Sequence, residues 1–345
     1  MTRREFVKGA AACGLFAGCA TSSGRFVAQG EIRAYLMHLG WNMWADQPVK
    51  KWGAYKPDEV NVVTAADSLR TDVGVWNRVT EQMAKDGYNM VIVDLGEALV
   101  YPSHPELSAR GAWSPERMRD EIRRLRALGL EPIPKMNFST AHDTWLGPYG
   151  RMVSTGKYYE VCSDLIRDVA GIFDRPRFLH LGYDEETADH QKRYSLCIVR
   201  QGDLWWHDFL WFAKETEKTG MRPWIWSDFV THHKAEFLSK MPKSVLQSNW
   251  YYGNTFKLGQ PVAKPRECNM VDAYVELEKA GFDQIPTGSN WSCDENLRET
   301  VRFCRAHIAP SRLKGFMMAP WFFPDPRWEK KLTDACRLGR EAFRP

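Results

Sequence analysis

Two adjacent carboxylates follow an apolar segment in the middle of the chain. Residues 177–184 read Arg-Phe-Leu-His-Leu-Gly-Tyr-Asp, and Glu185 comes next. We predict a parallel strand that ends at Asp184, and in a (β/α)8 barrel that end of the strands carries the chemistry. Adjacent carboxyls repel each other, so one can keep its proton near neutral pH and act as a general acid. The alternative is a charged start of the next helix, which is the simpler interpretation of Glu186.

Eight apolar runs are spread along the chain and alternate with amphipathic, helix-like segments. Eight parallel strands with helices outside them close a (β/α)8 barrel. We therefore predict one TIM barrel over residues 30–345, with longer connections at 42–68 and 256–267. The runs are residues 32–41, 89–97, 131–137, 177–184, 222–228, 245–250, 283–291 and 315–321.

Helix boundaries between the runs support this alternation. Ser114 can cap a helix that begins at Pro115, and Glu116 then lies at the positive end of the helix dipole. Three glycines each separate a helix-like segment from the next strand, as residues in a left-handed C-cap do. These are Gly129, Gly220 and Gly281.

The carboxyl ends of the runs carry polar groups together with large aromatic side chains. The sequence contains 15 tryptophans, and the flat apolar face of Trp, with its single N–H donor, suits stacking on a sugar ring. Because these ends meet at one rim of a barrel, we predict a saccharide cleft there. Besides Asp184 and Glu185, the predicted binding residues are Trp41, Asn137, His142, Trp226, Asp228, Trp250, Tyr251, Trp291 and Trp321.

Charge and histidine spacing argue against several kinds of ligand. The net charge is only +4, and no basic run with interleaved aromatic residues suggests a nucleic-acid partner. His38 lacks a His-x-His partner, and nothing near the pair His232 and His233 has metal-ligand spacing. We expect His180, inside a strand, to be a hydrogen-bonded core residue. We therefore expect a glycan substrate and neither a metal nor another cofactor.

The first twenty residues are typical of an export signal. Arg3 and Arg4 precede a short apolar run at residues 9–18, which resembles a twin-arginine signal and is too short to span a bilayer. The residues Phe-Ala-Gly-Cys, ending at Cys19, resemble a lipobox. We predict export to the periplasm, with membrane attachment through a lipidated Cys19. We interpret the six later cysteines mainly as buried thiols and leave one disulfide open.

Residues 180–185, at the end of the fourth run, read His-Leu-Gly-Tyr-Asp-Glu. This resembles the His-x-Gly-Gly-Asp-Glu of glycoside hydrolase family 20, the β-N-acetylhexosaminidases, with Tyr183 in place of the second glycine. Residues 133–137 lead to His142 much as the family's third strand leads to Pro-Gly-His. Residues 248–251, Ser-Asn-Trp-Tyr, resemble the family's Trp-Tyr-Leu-Asp, and Trp321 resembles its closing Trp.

This resemblance implies a glycosidase with substrate-assisted catalysis. By resemblance, Glu185 would protonate the glycosidic oxygen and Asp184 would orient the 2-acetamido group of the substrate, whose oxygen attacks to form an oxazoline. Tyr251 would contact the acetamido group. Strand alternation allows Glu185 to reach the cleft only if the strand ends at Asp184.

Two departures from the family keep other functions open. The family's sugar-binding Arg at the end of the first strand has no match at residues 40–42, and Phe323 stands where the family has Glu. One alternative is a retaining glycosidase on other sugars, with a carboxylate nucleophile such as Asp228 facing Glu185. Another is a surface lipoprotein that binds glycan without cleaving it.

Overall fold

The computed structural model describes residues 26–53, 55, 59–262 and 266–344. The predicted signal at residues 1–20, with Arg3, Arg4 and Cys19, lies outside the described residues. Within the described part of the chain, no helix combines the length and the apolar character needed to cross a membrane.

Eight parallel strands form one sheet in the order β6-β5-β4-β3-β2-β1-β8-β7. Single parallel bridges from Gln247 to Gln284 and from Trp250 to Thr287 join the two edge strands and bring the barrel close to closure. The predicted (β/α)8 fold class is confirmed. The strands are β1 (Ile32–His38), β2 (Met90–Asp94), β3 (Glu131–Lys135), β4 (Phe178–His180), β5 (Arg222–Trp226), β6 (Leu246–Ser248), β7 (Thr287–Gly288) and β8 (Gly315–Met318).

The helices surround the barrel and pack on it through their apolar faces. They are α1 (Val73–Lys85), α2 (Pro115–Ala127), α3 (Gly156–Ile172), α4 (Gly202–Lys218), α5 (Phe229–His232), α6 (Lys234–Lys240), α7 (Met270–Lys279), α8 (Asn296–His307) and α9 (Glu329–Ala342), with 3-10 turns at Val60–Val63, Gly96–Ala98, Pro105–Leu107 and Thr144–Arg151. The predicted helix start is confirmed, because the Ser114 hydroxyl accepts a hydrogen bond from the Arg117 N–H at 3.2 Å. The three glycines predicted as C-caps have φ values of 81–82°.

The interior of the barrel contains an ion pair among apolar side chains. Lys135 Nζ donates to Asp94 Oδ2 at 2.7 Å, and His38 Nδ1 lies 2.9 Å from the same oxygen. Burial alone would raise the pKa of Asp94, but the charge of Lys135 and the hydrogen bond with His38 outweigh burial and lower that pKa to about 2. All three side chains are almost completely buried.

His180 is confirmed as a hydrogen-bonded core residue. Its Nδ1 accepts the Gly182 N–H at 3.1 Å, and its ring packs against Trp224 and Trp226 with centroid distances of 5.1 and 4.6 Å. Burial, reinforced by the charge of Lys135, lowers the pKa of His180 well below its usual value. A neutral imidazole is therefore part of the barrel packing rather than of the rim.

The prediction that the fourth strand ends at Asp184 is wrong. β4 ends at His180, and Gly182, Tyr183 and Glu185 have φ values of 71, 72 and 56°. These left-handed residues interrupt the alternation of an extended strand. Backbone contact with β5 still continues, because Trp226 N–H donates to the Gly182 carbonyl at 3.0 Å. The turn allows two consecutive carboxylates to face the same cavity.

Glu186 is not the helix-start charge that we predicted. It lies far from the start of α4, and its carboxylate is paired with Arg200, with Nε–Oε1 and Nη2–Oε2 distances of 2.8 and 2.6 Å. Both side chains are about 1% exposed. Arg200 also donates to the Phe138 carbonyl and to the Tyr183 hydroxyl at 2.9 and 2.8 Å. This ion pair anchors residues 186–200 to the barrel.

The six cysteines that follow the predicted signal are all free thiols. Cys197 is exposed and Cys293 is half-buried. The remaining four, Cys162, Cys268, Cys304 and Cys336, are buried as predicted. The disulfide that the sequence left open is not formed.

We expect Gly182→Ala to destabilise the protein by at least about 2 kcal/mol. A Cβ at this position would lie 2.0 Å from Asn137 Oδ1, and the positive φ is unfavourable for Ala. Urea unfolding measures the effect. The control is Gly171→Ala in α3, where an added Cβ meets no atom within 4 Å and Ala should stabilise the helix by up to about 1 kcal/mol. Equal destabilisation by both substitutions would contradict this assignment.

Candidate active site

A cavity of about 320 Å³ opens at the carboxyl ends of the strands. Aromatic side chains form most of its wall, and the ionic side chains come from the segment that follows β4. The residues that line it are Trp41, Trp44, Trp52, Gly53, Tyr55, Asp184, Glu185, His190, Arg193, Trp250, Tyr252, Trp291 and Trp321. The volume is at the small end of the range for ligand pockets.

The structure brings six of the predicted site residues to the wall of this cavity: Trp41, Asp184, Glu185, Trp250, Trp291 and Trp321. The other five do not line it. Asn137 and His142 lie behind the two carboxylates and contact them, and Asp228 accepts the backbone N–H of Glu185. Trp226 lies below the cavity, where its ring is 5.8 Å from that of Trp321.

Asp184 is held in one orientation by side chains that follow β3. Asn137 Nδ2 donates to Asp184 Oδ1 at 2.9 Å, while His142 Nε2 lies 3.4 Å from Oδ2. Asn137 is itself fixed, because its Oδ1 accepts the Ser139 N–H at 3.0 Å. An acceptor fixed in this way can hold a polar N–H group of a ligand in a defined position.

Two imidazoles flank Glu185. His142 Nε2 lies 3.4 Å from Oε2, and His190 Nε2 lies 3.3 Å from Oε1. The Thr187 hydroxyl orients the second ring through a 2.8 Å contact with His190 Nδ1.

The two imidazoles lower the pKa of Glu185. Burial would raise the pKa of Glu185, but its contacts with His142 and His190 and their charges outweigh burial and hold that pKa well below its usual range. Burial would lower the pKa of His190, but the contact with Glu185 outweighs burial and raises that pKa.

Asp228 contacts the backbone of Glu185 rather than the cavity. Its Oδ2 accepts the Glu185 N–H at 2.9 Å. Burial raises the pKa of Asp228 to about 7, and the charge of Asp184 acts in the same direction. A carboxylate nucleophile must be ionised and reach the substrate, so this geometry favours a positioning role for Asp228.

The tyrosine that faces the cavity after β6 is Tyr252, not Tyr251. Tyr252 stacks on Trp250 with a centroid distance of 5.1 Å. The ring of Tyr251 instead packs on Phe256, and its carbonyl accepts the Asn296 amide at 2.7 Å. Side chains two positions apart share a face of an extended segment, so Trp250 and Tyr252 point together while Tyr251 points away.

Several lining residues are not among the predicted binding residues. Trp44, Trp52 and Tyr55 belong to the long connection after β1. The length and aromatic content of this connection could have indicated that it lines the cavity. His190 and Arg193 lie in the polar segment after β4, where no motif distinguishes them from solvent-exposed charges. Their placement depends on the Glu186 to Arg200 anchor.

The cluster of His142, Asp184 and Glu185 could also hold a metal ion. One ligand atom from each lies within 4.8 Å of the others, and catalytic metals can be held by three protein ligands. No further His, Cys, Asp or Glu of the described residues joins this group. His142 Nε2 lies 3.4 Å from a carboxylate oxygen of both Asp184 and Glu185, so we assign the cluster to holding the two carboxylates side by side.

Comparison with known proteins finds similar structures but no similar sequences. No family model and no curated protein sequence matches this chain. Similar solved structures include the chitobiase of Flavobacterium johnsoniae from glycoside hydrolase family 20, with 15% identity, TM-score 0.58 and 78% of this chain covered. The family 20 exo-β-N-acetylglucosaminidase of Vibrio harveyi, in complex with N-acetylglucosamine, has 13% identity, TM-score 0.57 and 89% coverage.

The β-N-acetylhexosaminidase of Bacteroides fragilis is similar at 12% identity, TM-score 0.57 and 89% coverage. This chain spans 46%, 54% and 65% of these three proteins, respectively. At such identities the similarity establishes the fold, which is the barrel of the β-N-acetylhexosaminidases.

We expect Asp228→Asn to change how stability depends on pH. A carboxyl whose pKa is raised by folding stabilises the protein below about pH 4, and this contribution is lost as the pH rises through about 7. One pKa unit corresponds to about 1.4 kcal/mol. The wild-type free energy of unfolding should therefore fall, relative to Asp228→Asn, by up to about 4 kcal/mol between pH 4 and pH 8.

Urea unfolding at several pH values measures this difference. The matched control is Asp67→Asn, because the Asp67 side chain is 82% exposed. Its stability should remain parallel to that of the wild type across the pH range. Parallel curves for Asp228→Asn as well would show that Asp228 is ionised in the folded protein.

Proposed function

We propose that this protein is a glycoside hydrolase that removes β-linked N-acetylhexosamine residues from glycans by substrate-assisted, retaining catalysis. The observation that carries the proposal is the pair Asp184 and Glu185 in the wall of an aromatic cavity, with Asn137 on the first, His190 on the second and His142 between them. The barrel fold shared with β-N-acetylhexosaminidases supports the same chemistry. The size of the cavity supports action on a terminal sugar.

In the first step, Glu185 donates a proton to the glycosidic oxygen while the 2-acetamido oxygen of the substrate attacks C1. The bond from C1 to the glycosidic oxygen breaks, its electron pair stays with that oxygen, and the leaving group departs as an alcohol. Asp184 accepts the acetamido N–H and stabilises the positive charge of the oxazolinium ion. Asn137 and His142 keep Asp184 in position for this contact.

In the second step, water attacks C1 from the side that the leaving group vacated. Glu185 takes the proton of this water, the bond from C1 to the acetamido oxygen breaks, and the free sugar keeps its anomeric configuration. The aromatic wall, with Trp250, Trp291 and Trp321, provides apolar faces for the sugar ring.

The low pKa of Glu185 has to be reconciled with a role as the acid. His190 Nε2 is 3.3 Å from Glu185 Oε1, so an imidazolium there can pass its proton to Glu185 as Glu185 donates to the leaving group. The pair then acts as one acid, whose proton is available up to the raised pKa of His190. Below that pH the site keeps a proton for the leaving group.

We expect Glu185→Gln and Asp184→Asn to differ in their dependence on the leaving group. Glu185→Gln should lower turnover of poor leaving groups by about 10²–10⁴-fold and affect activated aryl glycosides much less, because a good leaving group needs little protonation. Asp184→Asn should impair both substrates equally. A thiazoline analogue of the oxazoline should bind tightly to the wild type.

Steady-state kinetics on both substrate types measures these effects, with the exposed Glu217→Gln of α4 as the control. If the wild type cleaves glycosides without an acetamido group and ignores the thiazoline, the substrate-assisted mechanism fails. If it binds glycans, cleaves none and binds equally well with either carboxylate replaced, the protein is a glycan-binding barrel.

We further propose that the protein is exported by the twin-arginine route and anchored through Cys19. Arg3, Arg4 and the sequence that ends at Cys19 support this proposal. Replacing Arg3 and Arg4 by Lys should leave the precursor in the cytoplasm, which fractionation and immunoblotting would detect. Normal export of that variant would refute the twin-arginine assignment, and failure of Cys19 to incorporate labelled palmitate would refute lipidation.

A further inference from the structure

Arg193 is the one arginine or lysine among the described residues that line the cavity. Its guanidinium lies over the Trp52 ring, 3.4 Å from the centroid. Nη2 donates to the His190 carbonyl at 3.1 Å. The aromatic face and the carbonyl fix the guanidinium in place, as stacked arginines are fixed elsewhere.

This guanidinium lacks an anionic partner. Among the described residues, no carboxylate forms an ion pair with Arg193, and its Nε is buried without a hydrogen-bond partner. Burial lowers the pKa of Arg193, although the nearby Tyr194 and Glu185 oppose the shift. Arg200, in the same segment, is by contrast paired with Glu186. A partly desolvated cation with free donors is unfavourable until an anion satisfies it.

The position of Arg193 relative to the reaction follows from His190. The His190 ring contacts Glu185, and the His190 carbonyl contacts Arg193. A general acid must lie within hydrogen-bond distance of the leaving-group oxygen. Arg193 is thus linked to the acid by one residue, while Trp250, Tyr252 and Trp291 belong to the connections that follow β6 and β7. In the proposed mechanism the leaving group therefore lies next to Glu185, where His190 and Arg193 also line the cavity.

We propose that Arg193 binds an oxyanion on the leaving group, so that the substrate is an N-acetylhexosamine β-linked to an acidic residue, such as a sugar that bears a carboxylate or a sulfate. This inference rests on the proposed function and specifies its substrate class. The fork of a guanidinium matches the two oxygens of either anion. Arg193 is then a specificity residue that selects the leaving group.

The test compares two aryl β-N-acetylglucosaminides whose leaving groups differ only in a carboxylate or the uncharged carboxamide at the same position. A sulfonate analogue forms a third substrate that separates carboxylate from sulfate recognition. The wild type should favour a charged leaving group in kcat/KM by roughly tenfold or more, as expected for a hydrogen-bonded ion pair. Arg193→Met should reduce this ratio to about one, and Arg193→Lys should keep part of it.

Lys192→Met is the matched control, because Lys192 is the neighbouring cation, its side chain is 72% exposed and it does not line the cavity. This variant should keep the wild-type ratio. Two results would overturn the proposal: a wild-type ratio of one or less, or an unchanged ratio in Arg193→Met.

Failure of the proposed function gives a different result, since none of the three substrates would then be cleaved. In that case calorimetry measures binding of N-acetylglucosaminyl-glucuronic acid and of its neutral glucose counterpart. A Kd for the acidic disaccharide about tenfold lower, lost in Arg193→Met, supports the role of Arg193 without catalysis. Equal Kd values for the two disaccharides refute it.

Discussion

The hydrogen bonds of Asn137 determine the geometry of the candidate active site. Its amide nitrogen donates to Asp184 Oδ1, and its Oδ1 accepts the N–H groups of Ser139 and, at 3.4 Å, of Tyr183. This close approach requires the absence of a side chain at Gly182. The segment after β4 can therefore turn at left-handed residues and present Asp184 and Glu185 side by side. The histidine contacts, the Asp228 contact and the cavity wall depend on this turn.

The sequence predicted the barrel because its apolar runs and helix boundaries recur with the period of a βα unit. The apolar runs are longer than the strands. The run at residues 283–291, for example, contains a strand of only two residues, Thr287–Gly288. Residues at the rim stay buried after the chain has stopped pairing with the neighbouring strands. The apolar run therefore continues beyond the end of the strand. The end of β4 was misplaced for a related reason, since a left-handed Tyr183 cannot be recognised from residue type.

The candidate site was predictable where strand ends alone place a residue. Trp250 and Trp321 are of this kind, whereas the left-handed turn after β4 brings Glu185 beside Asp184. Tyr251 and Tyr252 could have been separated by counting alternate positions from Trp250, which is a purely local argument. The positions of His190 and Arg193 could not be predicted, because a buried ion pair between Glu186 and Arg200 brings their segment over the barrel. That pairing is a tertiary interaction between residues fourteen positions apart, and both residue types are ordinarily exposed.

The anchored segment after β4 has an evolutionary consequence. Residues 185–200 carry the proposed acid Glu185, the neighbouring His190 and the cavity's arginine on one continuous stretch, while the aromatic wall proposed to face the sugar comes from other connections. Loops at this face of a barrel vary without altering the strands below them. Mutation or recombination confined to this stretch would therefore change the proposed leaving-group preference. The aromatic residues proposed to bind the sugar ring would stay the same.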